Sequence, residues 1–419
     1  MASVVARALV AIDADKASKQ DLELLKKLVM EFKDELDALG VKVDKLDKRV
    51  AVLEDRLGGW KLRGQMYFDA KFMDNDSDAD NNDKEFGFGR ARLFLSKQID
   101  ENTSLMMRIN SHKGDHSLKW DRFYVDSKLP YDINFRFGRF NFDWESDLGL
   151  YDPYTVNNDA TFGDWDVDGF QFAKTWGMFD VTAIVGRNAT IEYNDGTDTY
   201  GDANTHMTYA LKVGANVSEK WMLGAMAYWW KGDNLDIPVA SDLDVDTYGF
   251  YAGYNFTPAV QLKGVYYWQK IDGVNLGGLE DSPKSWKAIL DVKQDLLKFT
   301  ALWIEYAQQD NTFVGTNSYD YMGENEMDMK PFNNGTAKIW NIIADQKWND
   351  KWGTYLRYWQ ADWDTEGLDD TKDWTIGVRY QYTPAIQFKL EYDSVDYGTA
   401  YGLDMGKDNI FRFRTTVNF

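Results

Sequence analysis

From Trp60 onward, apolar and polar residues alternate. Trp60, Leu62, Gly64, Met66, Phe68, Ala70 and Phe72 interleave with Lys61, Arg63, Gln65, Tyr67, Asp69 and Lys71. Successive side chains of a strand point to opposite faces, so this stretch predicts a strand with one apolar and one polar side. Similar segments recur at 85–98, 103–112, 118–128, 132–141, 168–176, 179–188, 205–217, 221–232 and 243–256, and again at 259–271, 284–294, 297–309, 336–348, 352–363, 373–383, 386–397 and 409–419. The pattern predicts eighteen strands, or sixteen if one hairpin is misread. Connections alternate between short ones, such as Thr257-Pro258, and long ones, such as 142–167 and 310–335. Tight turns at one end and long loops at the other predict an all-β transmembrane barrel of antiparallel strands over 60–419. Trp176, Trp221, Phe256, Trp348, Trp352 and Tyr382 bracket the short turns and read as an interfacial girdle.

Ahead of Trp60 the period changes. Leu22, Leu25, Val29, Phe32, Leu36, Leu39, Val43, Leu46, Val50, Leu53 and Leu57 follow an unbroken 3-4 spacing. These are the core positions of five heptads, flanked by charged residues such as Lys33, Glu35, Asp47 and Glu54. Ser18 stands as an N-cap and Gly58-Gly59 as a stop, so 18–59 is expected to form an α-helical coiled-coil stalk. From Leu22 to Leu57 it would span roughly 54 Å. Core composition leaves two or three strands open. The Arg49-Val50-Ala51-Val52-Leu53-Glu54 stretch resembles a motif of three-stranded coils, which favours a trimer.

Composition narrows the function classes. The 419 residues carry 47 Lys+Arg against 68 Asp+Glu, a net charge of −21, which argues against nucleic acid as a partner. Without any Cys there is no disulfide, thiolate zinc site or cysteine nucleophile. A mean hydropathy of −0.53 suggests a soluble protein, yet a barrel that alternates residue by residue averages to the same value. The 17 Trp, 24 Tyr and 24 Phe fit the second case.

If the apolar face meets lipid, the other parity lines a lumen. Arg63, Arg90, Arg92, Arg108, Arg122 and Arg136 then fall on the luminal side of the first five strands. The long loop 142–167 follows, with Asp143, Glu145, Asp147, Asp152, Asp159, Asp164 and Asp166. Folded inward, its carboxylates would face the arginines and set a transverse field that orients dipolar solutes. The alternative is a surface loop above structural arginines.

Ala91-Arg92-Leu93-Phe94-Leu95, Phe137-Gly138-Arg139-Phe140 and Phe162-Gly163-Asp164 resemble the general trimeric porins. That resemblance implies a constriction built from these arginines, Arg139 included, and from acids of the loop: Asp143, Glu145, Asp159, Asp164 and Asp166. Arg139 breaks the strand parity by one, and its inward direction rests on the resemblance and on a kink at Gly138. An eighteen-strand count keeps the sugar-specific porins in view. Met1-Ala2-Ser3-Val4-Val5-Ala6-Arg7-Ala8-Leu9 looks like the tail of an S-layer-homology motif, with 1–17 as its remnant. Followed by a coil and a porin, it is similar to the OmpM-type tethering porins of diderm Firmicutes. This implies a homotrimer in a bacterial outer membrane, among lipid and lipopolysaccharide, with the stalk in the periplasm and a grip on peptidoglycan or its linked polymer. No secretion signal is present, so the chain is expected to be processed or a fragment. The implied activity is passive diffusion of small hydrophilic solutes, with a sugar-selective channel or a closed structural anchor as rivals. The final Phe419 resembles the C-terminal insertion signal of outer-membrane proteins.

Other patterns carry less. Asp74, Asp76, Asp78, Asp80 and Glu85 have EF-hand spacing, but Ala79 stands where Gly is needed and strands flank the loop. An acidic loop is expected there, with weak Ca²⁺ binding as the alternative and no other cofactor. His112, Asp115 and His116 lie in a short loop with no obvious nucleophile, so the chain is not expected to be an enzyme.

Overall fold

The computed structural model describes residues 27, 58–75, 84–112, 118–153, 161–188, 193–194, 199–200, 206–232, 244–273, 280–310, 312–315 and 336–419. The coil core at 22–57 and the 1–17 remnant lie outside them, as do Asp76, Asp78, Asp80 and Asp159. Residues 62–419 make one compact unit.

That unit is built on strands β1 (Trp60–Asn75), β2 (Lys84–Gln98), β3 (Thr103–His112), β4 (Lys119–Leu129), β5 (Ile133–Phe142), β6 (Trp165–Trp176), β7 (Phe179–Asn188), β8 (His206–Asn216) and β9 (Trp221–Gly232). The second half contributes β10 (Asp244–Thr257), β11 (Val260–Asp272), β12 (Lys284–Val292), β13 (Ala301–Asp310), β14 (Thr336–Lys347), β15 (Trp352–Asp362), β16 (Thr371–Gln381), β17 (Ile386–Asp396) and β18 (Lys407–Asn418). Each strand pairs with the next, and β18 pairs antiparallel with β1, so the eighteen-stranded sheet closes on itself. Closure satisfies every strand edge, which a sheet in hydrocarbon requires.

At the seam, Gly64 donates its N–H to the Phe419 carbonyl (2.5 Å) and accepts from Phe419 N–H (3.0 Å). A Cβ on Gly64 would fall 2.2 Å from the Phe419 ring, so glycine leaves the space in which that ring sits. Asp69 and Arg414, opposite each other in the same ladder, form two parallel hydrogen bonds of 2.6 and 2.7 Å.

The two faces differ as alternation predicts. In β13 burial alternates at every residue, with Trp303 and Glu305 inside. Outward side chains stay open: Phe86 is 64% exposed, Phe250 56% and Ile376 57%, on well-separated parts of the ring. A water-soluble protein would not leave a continuous apolar belt uncovered, whereas hydrocarbon covers it. Outward rings run along the long-loop side as a ribbon. Tyr209 sits opposite Trp229, and Trp229–Tyr248, Tyr248–Trp268, Trp286–Tyr306 and Tyr306–Trp340 have centroids 4.8 to 6.3 Å apart. It continues through Tyr358–Trp374 (4.3 Å), Phe411–Phe72 (6.4 Å) and Phe72–Phe86 (5.7 Å). A second set, including Trp221–Tyr254 and Trp352–Tyr380, marks the short-turn side.

Candidate constriction site

The site begins where alternation fails. Phe86 and Phe88 of β2 contact the outward Phe72 and Phe68, yet Arg90 lies over the ring of the inward Tyr67. The phase therefore flips between Phe88 and Arg90, which turns Arg90 and Arg92 inward. In β4 the register jumps: Arg108 faces Arg122 and Ile109 faces Trp120, leaving Asp121 as an extra residue. Such a bulge re-aims side chains, and here it sets Asp121 beside Arg122. Arg108 Nη2 reaches Asp121 Oδ2 at 2.5 Å, and Arg92 Nε donates to Asn110 Oδ1 at 3.2 Å. Arg92, Arg108 and Arg122 thus share one patch of the inner wall.

The third irregularity is at Gly138, with φ +118 and a Cβ position 2.3 Å from the Phe123 carbonyl oxygen. Only glycine tolerates both. β5 stays on β4 up to Arg139, opposite Phe123, and β6 stays on β7 up to Val167, opposite Asn188. Beyond those points the two strands remain paired with each other, ending at Phe142 opposite Trp165. The hairpin leaves the wall and enters the lumen.

Its apolar face packs against the far inner wall. Phe142 lies 4.9 Å from the Tyr228 ring, Phe162 lies 5.5 Å from Tyr267, and Trp144 fills the space over Gly249. The short helix α1 (Trp144–Asp147) follows, with Asp143 accepting from Ser146 N–H at 3.1 Å and from Tyr151 Oη at 2.7 Å. Burial, reinforced by Asp164, pushes the Asp143 carboxyl up to about 6. Glu145 is fully buried. It pairs with Lys287 Nζ (2.6 Å) and accepts from Tyr267 Oη (2.7 Å) and from the N–H groups of Thr161 and Phe162. Asp147 pairs with Lys212 (2.6 Å), and Lys263 donates to the Gly149 carbonyl (2.5 Å).

The opposite face of the hairpin carries acids. Arg122 Nε is 3.2 Å from Asp166 Oδ1, Arg122 Nη2 is 4.0 Å from Asp164, and Asn141 donates to Asp164 at 2.9 Å. The arginine patch and the hairpin acids therefore meet directly at Arg122 and do not stand apart across water.

The remaining sequence candidates scatter. Arg136 is held bidentately by Asp126 (2.7 and 3.0 Å) and stacks 4.0 Å over Tyr124, which neutralises it. Arg63 is exposed near the start of β1. Two candidates depart from expectation. Glu145 does not face the lumen, because a carboxylate buried with a lysine and three donors serves as an anchor. Arg139 keeps the outward parity of Phe137 and Phe123, and Asp168 holds it there bidentately at 2.7 Å. The Gly138 twist bends the hairpin without turning Arg139 inward. Among the described residues, no group of acids, His or Cys is arranged to hold a metal ion.

Sequence reasoning missed Asp121 and the charges of the other wall. There Arg412 pairs with Glu391 (3.4 Å), Lys389 with Glu391 (3.3 Å), Arg379 with Asp345, and Tyr355 donates to Glu391. The signal was present, since all of these sit on the inward parity of regular strands.

No protein-family model and no curated protein matches the chain. Solved structures resemble it in fold. Pseudomonas aeruginosa OccK11 (OpdR) aligns over 86% of this chain and 96% of its own, with 10% identity and a TM-score of 0.56. OpdQ of the same organism covers 86% and 98%, at 12% identity and 0.55. P. aeruginosa OccK3 (OpdO) covers 88% and 97%, at 12% identity and 0.55. The fold is a closed, eighteen-stranded antiparallel barrel like those of outer-membrane porins.

Proposed function

We propose that the chain is an outer-membrane porin: a passive, water-filled channel for small hydrophilic solutes, working as a homotrimer without catalysis. The observation that carries this reading is the hairpin seated inside a closed barrel by a buried ion pair, its acids against an arginine patch. Opposed fixed charges in a narrow, low-dielectric passage act more strongly on a solute than they would in open water. The heptads at 22–57 support a second part of the reading. They would form a periplasmic stalk that ties the outer membrane to peptidoglycan, or to its linked polymer, through an S-layer-homology module.

Planar bilayers test the channel. Stepwise ohmic conductance is expected, and replacing Arg92, Arg108 and Arg122 with Gln should raise the cation-to-anion permeability ratio roughly twofold or more. Replacing Asp164 and Asp166 with Asn should lower it. Block by sugars would favour a sugar-selective channel, and silence would favour a structural anchor. Deleting residues 1–57 should leave conductance intact while abolishing attachment to cell wall; surviving attachment would end the tether reading.

A further inference from the structure

The charges of the inner wall are mostly settled within the protein. Arg108 is held by Asp121 (2.5 Å), Arg122 by Asp166 (3.2 Å), Arg412 by Glu391 (3.4 Å) and Arg414 by Asp69 (2.6 Å). Arg90 and Arg92 are different: among the described residues, no carboxylate lies within 4.0 Å of either. Arg90 lies 5.6 Å from the centroid of the Tyr67 ring, which Arg414 also approaches, at 4.8 Å. Arg92 spends its Nε on Asn110 and keeps both Nη groups for something else. Two acids close by are committed to other arginines. Asp69 comes within 2.6 Å of where a Cβ on Gly89 would stand, but Arg414 takes both of its oxygens, and Asp121 is taken by Arg108. Arg357 also lacks an acid, yet it is sealed in the wall, whereas Arg90 and Arg92 are only half-buried.

Placement makes the pair a site. Both arginines face inward from β2, two residues apart, which sets them about 7 Å apart along the strand. Arg108 and Arg122 are level with Phe94 in the ladders, so Arg90 and Arg92 lie on their long-loop side. A solute entering from that side meets two open guanidiniums before it reaches the hairpin acids. Two positive charges at this spacing match a solute that carries two negative ones. Each guanidinium presents a planar fork that takes two oxygens at once. A tetrahedral oxyanion has oxygens left for a second fork, whereas one fork uses up both oxygens of a monocarboxylate. We infer that Arg90 and Arg92, with Asn110 bracing Arg92 and Tyr67 beneath Arg90, form a docking site for a doubly charged tetrahedral oxyanion of the phosphate class. This rests on the porin reading above and deepens it by naming a solute class.

Calorimetry on the full chain in detergent tests the site, with inorganic phosphate as the probe and acetate as the comparison. At mildly alkaline pH, where phosphate carries two charges, it should bind at least tenfold more tightly than acetate. Arg90→Gln with Arg92→Gln should abolish that preference. Neither side chain has an ion pair to lose, so the variant should keep the parent's mobility on unheated gels. Arg90→Lys with Arg92→Lys keeps both charges but loses the forks, and should lower the preference threefold or more. Equal binding of phosphate and acetate by the parent would overturn the inference, because a general positive field accounts for that. A preference that survives in the Gln pair would overturn it by placing the site elsewhere. One undiminished in the Lys pair would overturn it too, since charge alone would then suffice. Bilayer conductance of the same protein separates this from the channel reading. Phosphate binding by a silent barrel refutes the pore alone, and a conducting barrel without phosphate preference refutes the site alone.

Discussion

The wall from β12 to β17 and the wall from β2 to β6 use the same alternation to different ends. In β12–β17 every ladder is one-to-one, without a register shift, so the inward parity is carried unbroken along each strand. In β2–β6 the alternation breaks three times, between Phe88 and Arg90, at Asp121 and at Gly138. Each break sits where charge is gathered. The phase flip brings Arg90 and Arg92 inward, the bulge adds Asp121, and the Gly138 twist releases the hairpin that carries Asp164 and Asp166. Regular strands make a container, and the exceptions make a site within it.

The sharpest way to break this contrast is to unseat the hairpin. Glu145→Ala removes the 2.6 Å partner of the buried Lys287 and leaves Glu305 at 4.0 Å, which should cost about 3 kcal/mol. Thermal unfolding in detergent should read this as a large drop in midpoint, with noisier channel currents. Replacing the pair together, Glu145→Leu with Lys287→Met, should recover only part of the loss: a buried pair swapped for apolar side chains is often near neutral, but Glu305, 4.0 Å from Lys287, then stays buried without that lysine. A single variant as stable as the parent would show that the ion pair does not seat the hairpin.

Two glycines give a smaller and more direct comparison. Gly138→Ala meets both a positive φ and a 2.3 Å backbone contact, and should destabilise by about 2 kcal/mol or more. Gly353→Ala on the regular side meets only ordinary contacts, the Gln346 carbonyl at 3.4 Å and the guanidinium of Arg379 at 3.5 Å, and should change stability by about 0.5 kcal/mol or less. Equal effects in chemical denaturation would remove the distinction between the two walls.

The smallest effect concerns pH. The Asp143 carboxyl titrates near 6 in the folded chain against an ordinary 3.8, mainly through burial. The folded state therefore holds a proton that the unfolded chain releases. Its contribution to stability is complete below pH 3.8 and is lost as pH rises through about 6. The same ionisation adds a negative charge beside the constriction, so cation preference should increase modestly from pH 5 to 7. Asp143→Asn should flatten that part of the reversal-potential profile, and an unchanged profile would place the titrating group elsewhere.

Much of the wall was legible in the sequence. The segments 103–112, 179–188 and 221–232 coincide with Thr103–His112, Phe179–Asn188 and Trp221–Gly232. Where period two was obscured, the boundaries moved. The segment drawn from 297 starts as a strand only at Ala301, because a helical turn at Gln294–Leu297 and a positive φ at Lys298 come first. The site was less legible for the same physical reason. Parity is a single bit carried along a strand, and a bulge inverts it silently. Alternation from Arg122 puts Asp121 outward, the resemblance puts Arg139 inward, and neither position can be read without knowing the partner strand's register. Glu145 illustrates another limit. A carboxylate in an acidic loop looks the same in sequence whether it faces solvent or binds a lysine 142 positions later, as Lys287 shows.

The seam between β1 and β18 has a consequence for how the molecule is made. Asp69 and Arg414 lie 345 positions apart, and so the contacts that close the ring are among the most distant in the chain. Contacts of such long sequence separation form late, since the entropy of joining the ends is lost before any of their energy is gained. Until they form, the two terminal strands are open edges, each able to pair with a stranger. Biogenesis of this chain therefore has a vulnerable interval set by topology: its first strand must be held apart from other chains until its last one arrives.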